Sequence, residues 1–187
     1  MNVQAQTDYG PLTLLIGAWS GDKGLDVAPE PNGSEENPYF ESIIFSEAGG
    51  VTNAESQVLA ALHYRQIVRR KSDGNVFHDQ AGYWIWDQQR ELVMNSFSIP
   101  RGVCVLAGGP YSELDSPTGV KLIVSSVDGD AKWWLVRSPF MHENAQTSAF
   151  QQQLSITADK LVYSQTTMLN IYGRAFEHTD ENELERN

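Results

Sequence analysis

The chain has 187 residues, a formal net charge of −11 and a sequence pI near 4.7. This acidity argues against binding to nucleic acids or to anionic membrane surfaces, because both require clustered lysine and arginine. Hydrophobic residues make up 41% of the chain and aromatic residues 10%, which is enough for a real core and excludes global disorder.

The N-terminal segment carries neither the basic stretch nor the long apolar stretch of a signal peptide, and no apolar run approaches about 18 residues. We therefore expect a soluble, cytoplasmic protein. Cys104 is the single cysteine, so an intramolecular disulfide and a cysteine-based zinc site are both excluded. Its apolar neighbours in sequence predict that Cys104 packs as a small apolar side chain.

The first informative stretch is 12–24, in which an apolar run leads into Gly17, Trp19, Gly21 and then Gly24. Glycines on both sides of a large aromatic residue suit the start of a strand where another piece of backbone passes close to it. This pattern is typical of barrels whose first strand begins beneath a closing N-terminal segment. The alternative is a surface turn followed by an ordinary core tryptophan.

Residues 26–38 contain Pro29, Pro31, Gly33 and Pro38 among acidic side chains. This density of proline predicts a long loop. A long loop in a compact domain is either a lid over a site or a dispensable decoration, and the sequence does not distinguish the two.

The rest of the chain reads mostly as strands separated by turn residues. Helix is also possible over 56–71, but the Asp73-Gly74 turn favours a hairpin there. The predicted strands are 39–45, 56–71, 77–87, 91–99, 103–107, 120–127, 132–138, 147–157 and 160–172. Residues 176–187 are acidic, and we expect them to be irregular or to form one helical turn with a closing strand.

This series predicts an all-β fold in which 1–187 form one domain: an antiparallel up-and-down β-barrel of about ten strands around a small ligand cavity. A Greek-key sandwich is the main alternative. Lipocalin-type and fatty-acid-binding barrels stack a late basic residue on the first-strand tryptophan. We expect Arg186 to do this on Trp19, with Arg174 as the competitor.

Four segments together resemble the nitrobindins: LLIGAWSGDKG, YFESIIF, HDQAGYW and a C-terminal LVY…M…H…L…R pattern. Nitrobindins are haem-binding barrels of calycin type, similar to fatty-acid-binding proteins and to the haem domain of a human THAP protein. Their N-terminal signature, G-x-W-x-G-x-G, is matched at Gly17, Trp19 and Gly21, while Lys23 stands at its last position. The resemblance implies a barrel that binds haem b and nitric oxide and isomerises peroxynitrite to nitrate.

By position, the resemblance places the axial haem ligand on His178, although Thr179 stands where the family usually has leucine. An imidazole is a suitable ligand for haem iron. The alternative is a surface histidine on an acidic tail. If strand alternation holds, His78 shares a face with Gln80 and Gly82 and contacts a ligand in the cavity; otherwise it is exposed or bonded across strands.

Sequence signatures for other chemistry are absent: there is no H-E-x-x-H pair, no phosphate-binding loop and no G-x-S-x-G elbow. The expected partner is therefore haem or another small molecule, with no nucleic acid and no membrane, and the oligomeric state stays open. A haem-free carrier of a small apolar ligand is the second hypothesis. A structural barrel with a filled interior is the third.

Overall fold

The computed structural model describes residues 7–112 and 119–187, in which one 3-10 helix at Gly10–Leu15 precedes the first strand and another lies at Gln88–Arg90. Within these ranges one short α-helix, α1, spans Pro139–Asn144. The strands in these ranges are β1 (Gly17–Glu30), β2 (Gly33–Asn53), β3 (Gln57–Arg70), β4 (Val76–Asp87), β5 (Leu92–Ile99), β6 (Val103–Pro110), β7 (Val120–Val127), β8 (Leu135–Arg137), β9 (Ala145–Ile156), β10 (Lys160–Ile171) and β11 (Arg174–Arg186).

The strands form one antiparallel sheet that closes into a barrel. Strands β1 to β7 pair in chain order, β7 pairs with β9, and β9, β10 and β11 lead back to β1. Ten strands thus complete the ring, and the short β8 pairs with the first part of β6, beside the point where β6 meets β7. The predicted up-and-down barrel of about ten strands is confirmed, and the sandwich alternative is wrong.

Strand alternation builds the core inside the barrel. In β2, Ile43 and Phe45 are buried while Phe40 and Ile44 face solvent, which is the period of two expected of a sheet with one wet face. The same alternation shows that the predicted packing of Cys104 as a small apolar side chain is wrong. Its neighbours Val103 and Val105 take the inward positions of β6, so Cys104 is exposed on the outer face.

The predicted loop over 26–38 is wrong. These residues continue β1 and β2 into one long hairpin whose register runs from Leu25 opposite Pro38 to Glu30 opposite Gly33. Proline is tolerated where one side of its strand has no ladder partner. The pairing of β1 with β11 ends at Val27, before Pro29, and the pairing of β2 with β3 begins at Tyr39, after Pro38.

The tip of this hairpin is fastened from outside by Arg174, whose Nη2 donates to the Glu30 carbonyl oxygen at 2.8 Å and to that of Gly33. We expect Arg174→Ala to raise amide exchange across 28–35 while lowering the free energy of unfolding by less than about 1.5 kcal/mol, because both contacts are solvent-exposed. Hydrogen–deuterium exchange of peptides covering the hairpin measures this. Arg65→Ala, which removes an exposed arginine at another site, is the control; equal exchange in all three proteins contradicts the prediction.

The C-terminal segment is a full strand rather than an irregular tail. Strand β11 lies between β10 and β1 and so closes the barrel, with Arg186 in register opposite Trp19. The Arg186 guanidinium lies 4.1 Å from the Trp19 ring centroid, as expected, whereas Arg174 lies over Phe176. Within the described residues, no helix is long and apolar enough to cross a membrane.

Candidate functional site

A cavity of about 330 Å³ lies inside the barrel and is lined on its walls by apolar side chains. These include Phe77, Phe97, Ile99, Val105, Phe150 and Leu169. Exposed side chains of Glu35, Arg101 and Tyr172 also border it, so the cavity reaches solvent. Its volume falls in the range of small-molecule sites.

His178 lies on this cavity, in β11, where alternation turns it inward together with Asp180. Its Nε2 atom lies 2.6 Å from Asp26 Oδ1 and 3.7 Å from Asp180 Oδ2. Burial by itself lowers the pKa of His178, but the hydrogen bond to Asp26 and the charge of Asp180 outweigh it and raise that pKa above its ordinary value. His178 is therefore held between two carboxyl groups.

Asp26 and Asp180 are direct cross-strand partners in β1 and β11. Burial raises the pKa of Asp180, and the neighbouring Asp26 adds to this effect. Burial acts in the same direction on Asp26, but the hydrogen bond from His178 overcomes it, and the pKa of Asp26 falls below its usual value. The pair thus contains one stable carboxylate and one carboxyl group that ionises less readily.

His78 also lines the cavity, in β4, with its Nε2 3.2 Å from Gln80 Oε1. Burial lowers the pKa of His78, so the neutral imidazole is favoured. If Nε2 donates to Gln80, the lone pair of the neutral ring is on Nδ1. Gln80 is buried beside it, so these two residues share the inward face.

A chain of amide and hydroxyl groups connects the two histidine regions through the barrel interior. Gln80 Nε2 donates to Tyr64 Oη at 2.6 Å, and the chain ends where Gln165 Nε2 donates to Asp180 Oδ2 at 3.3 Å. The intermediate members are Tyr64, Asn95, Gln152 and Gln165, joined by hydrogen bonds of 3.0 to 3.2 Å. This network fixes the orientations of the polar groups around the cavity.

A second buried polar cluster surrounds Glu41, on the inward face of β2. Its carboxyl oxygens accept hydrogen bonds from Gln66 Nε2 at 2.6 Å, Asn182 Nδ2 at 2.6 Å and Tyr163 Oη at 3.0 Å. Burial nevertheless raises the pKa of Glu41 to about 7, against the effect of these donors. The barrel therefore contains a carboxyl group that changes charge near neutral pH.

The signature residues Gly17, Trp19 and Gly21 do not border the cavity. Trp19 is fully buried in the core, and a Cβ atom at Gly21 would lie 2.5 Å from the Glu183 carbonyl oxygen. Glycine is therefore required where β1 passes close to β11. In this structure the motif lies where β1 and β11 close the barrel, away from the cavity.

Comparisons with known proteins agree with this fold. The family model described as THAP4-like, heme-binding beta-barrel domain matches residues 8–186. The chain belongs to this family of haem-binding barrels. A crystal structure of Rv2717c from M. tuberculosis superposes with a TM-score of 0.69 at 21% identity, covering 96% of this chain and 99% of that one. At this identity the second likeness concerns the fold alone. No curated protein sequence matches the chain.

Sequence reasoning brought His78 and His178 forward, and both border the cavity of this haem-binding barrel. It missed Asp26 and Glu41. Asp26 lies in the segment that was predicted to be a loop, so strand alternation could not assign it an inward position. For Glu41 a signal existed, because it occupies the inward phase of the run Tyr39, Glu41, Ile43.

Proposed function

We propose that the cavity binds haem b with His178 as the axial ligand. Small ligands such as nitric oxide would reach the iron within the apolar cavity. The observation that carries the proposal is an inward-facing imidazole on the cavity of a barrel in a haem-binding family. Imidazole nitrogen is a common axial ligand of haem iron. His78 is the second imidazole at the same cavity and contacts the bound group.

The residues around the cavity suit the chemistry of haem. Apolar walls match the porphyrin ring, and an imidazole nitrogen matches the iron. Arg70 and Arg101 border the cavity, where their guanidinium groups can pair with the carboxylates of haem. His178 Nε2 is already bonded to Asp26, so ligation through Nε2 breaks that bond, whereas ligation through Nδ1 preserves it.

Bound haem would supply nitric oxide binding and, in its ferric form, isomerisation of peroxynitrite to nitrate. The protein's own part is to hold and shield the group. Asp26 orients the His178 ring, and the apolar side chains line the remaining walls of the cavity. Burial lowers the pKa of His78 and so favours its neutral imidazole, which offers hydrogen bonding there without adding charge.

The test is an absorption spectrum of the protein after incubation with ferric haem and desalting. We expect a Soret band in the parent and in His142→Ala, which removes an exposed histidine outside this cavity, and its loss in His178→Ala. A band lost in His78→Ala but retained in His178→Ala would show that His78 is the ligand instead of His178. The absence of a band in every protein would overturn haem binding.

The peroxynitrite step needs a separate measurement. We expect the ferric haem-loaded protein to accelerate peroxynitrite decay and to increase the nitrate yield relative to the haem-free protein. Equal decay rates with and without haem would reject isomerisation while leaving haem binding intact.

A second candidate is a carrier of a small apolar ligand without haem, favoured by the apolar walls of the cavity. A fatty acid would keep its carboxylate towards Arg70 and Arg101, because Asp26 and Asp180 repel it further inside. Displacement of a fluorescent fatty-acid analogue by oleate tests this reading. Displacement from a protein that takes up no haem would favour the carrier over the haem protein.

A further inference from the structure

We propose that the haem-free protein binds a divalent first-row metal ion, such as Zn²⁺, through Asp26, His178 and Asp180. This site goes beyond the proposed haem function and does not depend on it. Imidazole nitrogen and carboxylate oxygen are established zinc ligands. The three side chains also border the cavity, so a bound ion keeps one side open to a small molecule.

The distances suit one ion. Each of the three residues offers a ligand atom, and these atoms all lie within 4.8 Å of one another. Zinc lies about 2.0–2.2 Å from such ligands in a tetrahedral arrangement, so its ligand atoms are separated by about 3.3–3.6 Å. The present separations of His178 Nε2 from Asp26 Oδ1 and Asp180 Oδ2, 2.6 and 3.7 Å, bracket that spacing. Small side-chain rotations would therefore bring His178 to that spacing from each aspartate, and the ligand oxygens of the two aspartates already lie within 4.8 Å of each other.

The ligands are held by the sheet rather than by loops. Asp26 and Asp180 face each other across the β1–β11 ladder, and His178 lies two residues before Asp180 on the same inward face. Sites built on strands keep their geometry better than sites on loops. The barrel therefore presents the three groups already assembled.

Residues outside the cluster orient its carboxyl groups. Asn37 Nδ2 donates to Asp26 Oδ2 at 3.1 Å, and Gln165 Nε2 donates to Asp180 Oδ2 at 3.3 Å. Asn37 is held in turn by Arg70 Nε at 3.1 Å. Hydrogen-bonded outer partners of this kind are typical of metal ligands, whose lone pairs they direct. Asn37 leaves Asp26 Oδ1 towards His178, whereas Gln165 and His178 both approach Asp180 Oδ2.

The charge of the cluster also favours a cation. Among the described residues, the ion pairs of Asp26 and Asp180 are with His178 alone, although Asp26 is only 3% exposed. Buried carboxylates are costly unless they are paired or coordinate a metal. A divalent ion would balance both carboxylates, with His178 neutral as a ligand.

The metal and haem would compete, because both would occupy the same cavity beside His178. Preincubation with Zn²⁺ is therefore expected to reduce haem uptake by the parent protein at least tenfold. The two forms of the cavity give different optical spectra, so they can be measured independently.

The experiment titrates the haem-free protein with Co²⁺ and follows its visible d–d absorption, then adds Zn²⁺ as a competitor. We expect a saturable one-to-one band in the parent that Zn²⁺ removes. Binding should weaken at least tenfold in Asp26→Asn, Asp180→Asn and His178→Ala, and remain unchanged in Glu177→Gln, whose exposed side chain precedes His178 on β11. Circular dichroism confirms that each variant is folded.

The outcomes separate this site from the proposed function. A Co²⁺ band without any haem uptake supports the metal site and rejects the haem proposal. Haem uptake with no Co²⁺ band, or a band that Asp26→Asn and Asp180→Asn leave unchanged, overturns the metal site alone.

Discussion

Replacing Trp19 by alanine is expected to lower the free energy of unfolding by about 4 kcal/mol, within the usual range for removing a buried aromatic side chain. Trp19 is fully buried, and its Nε1 donates to the Leu15 carbonyl oxygen at 2.8 Å. The change therefore leaves a cavity in the core and removes a buried hydrogen bond that connects β1 to the N-terminal 3-10 helix. Urea unfolding followed by circular dichroism measures the loss.

Arg186 contacts both the Trp19 ring and the backbone that precedes β1. Its guanidinium covers the indole and donates to the Leu14 and Ile16 carbonyl oxygens at 2.6 and 2.5 Å. A double-mutant cycle of Trp19→Phe and Arg186→Ala should give a coupling energy of about 0.5–2 kcal/mol, because phenylalanine is a weaker cation–π partner than tryptophan. Additive effects would mean that Arg186 acts only through the backbone carbonyls, and a small effect of Trp19→Ala would contradict the closure role.

The barrel itself could be predicted because its signals are local. Period-two alternation and turn residues such as Asp73-Gly74 occur within each hairpin, and both were sufficient for the strand series. The hairpin over 26–38 could not be predicted in the same way. Proline is excluded only where both sides of a strand are paired, and that depends on where β11 and β3 stop.

The candidate site likewise contains residues that the sequence could predict and a contact that it could not. His178 was found through a family pattern and His78 through strand alternation, and both border the cavity, while axial ligation by His178 stays a prediction. The partnership of His178 with Asp26 joins residues 152 positions apart. No local periodicity contains such a contact, because it follows from the closing register between β1 and β11.

Glu41 should make the stability of the protein fall as pH rises. Its usual pKa is 4.5, and burial raises the pKa in the folded protein to about 7. The folded state therefore binds the proton more tightly than the unfolded chain. This contribution is fully present below pH 4.5 and is lost as pH rises through 7. At about 1.36 kcal/mol per pH unit, the loss amounts to about 3 kcal/mol.

Glu41→Gln isolates this contribution, because glutamine resembles the protonated acid in shape and does not ionise. The raised pKa values of Asp180 and His178 also make stability fall with rising pH, but they are present in both proteins. We expect the free energy of unfolding, measured in urea at pH 5.5 and 8.5, to fall by about 2 kcal/mol more in the parent than in Glu41→Gln. Parallel pH profiles for the two proteins would show that the hydrogen bonds from Gln66, Asn182 and Tyr163 fully compensate the buried charge, and that Glu41 is ionised throughout.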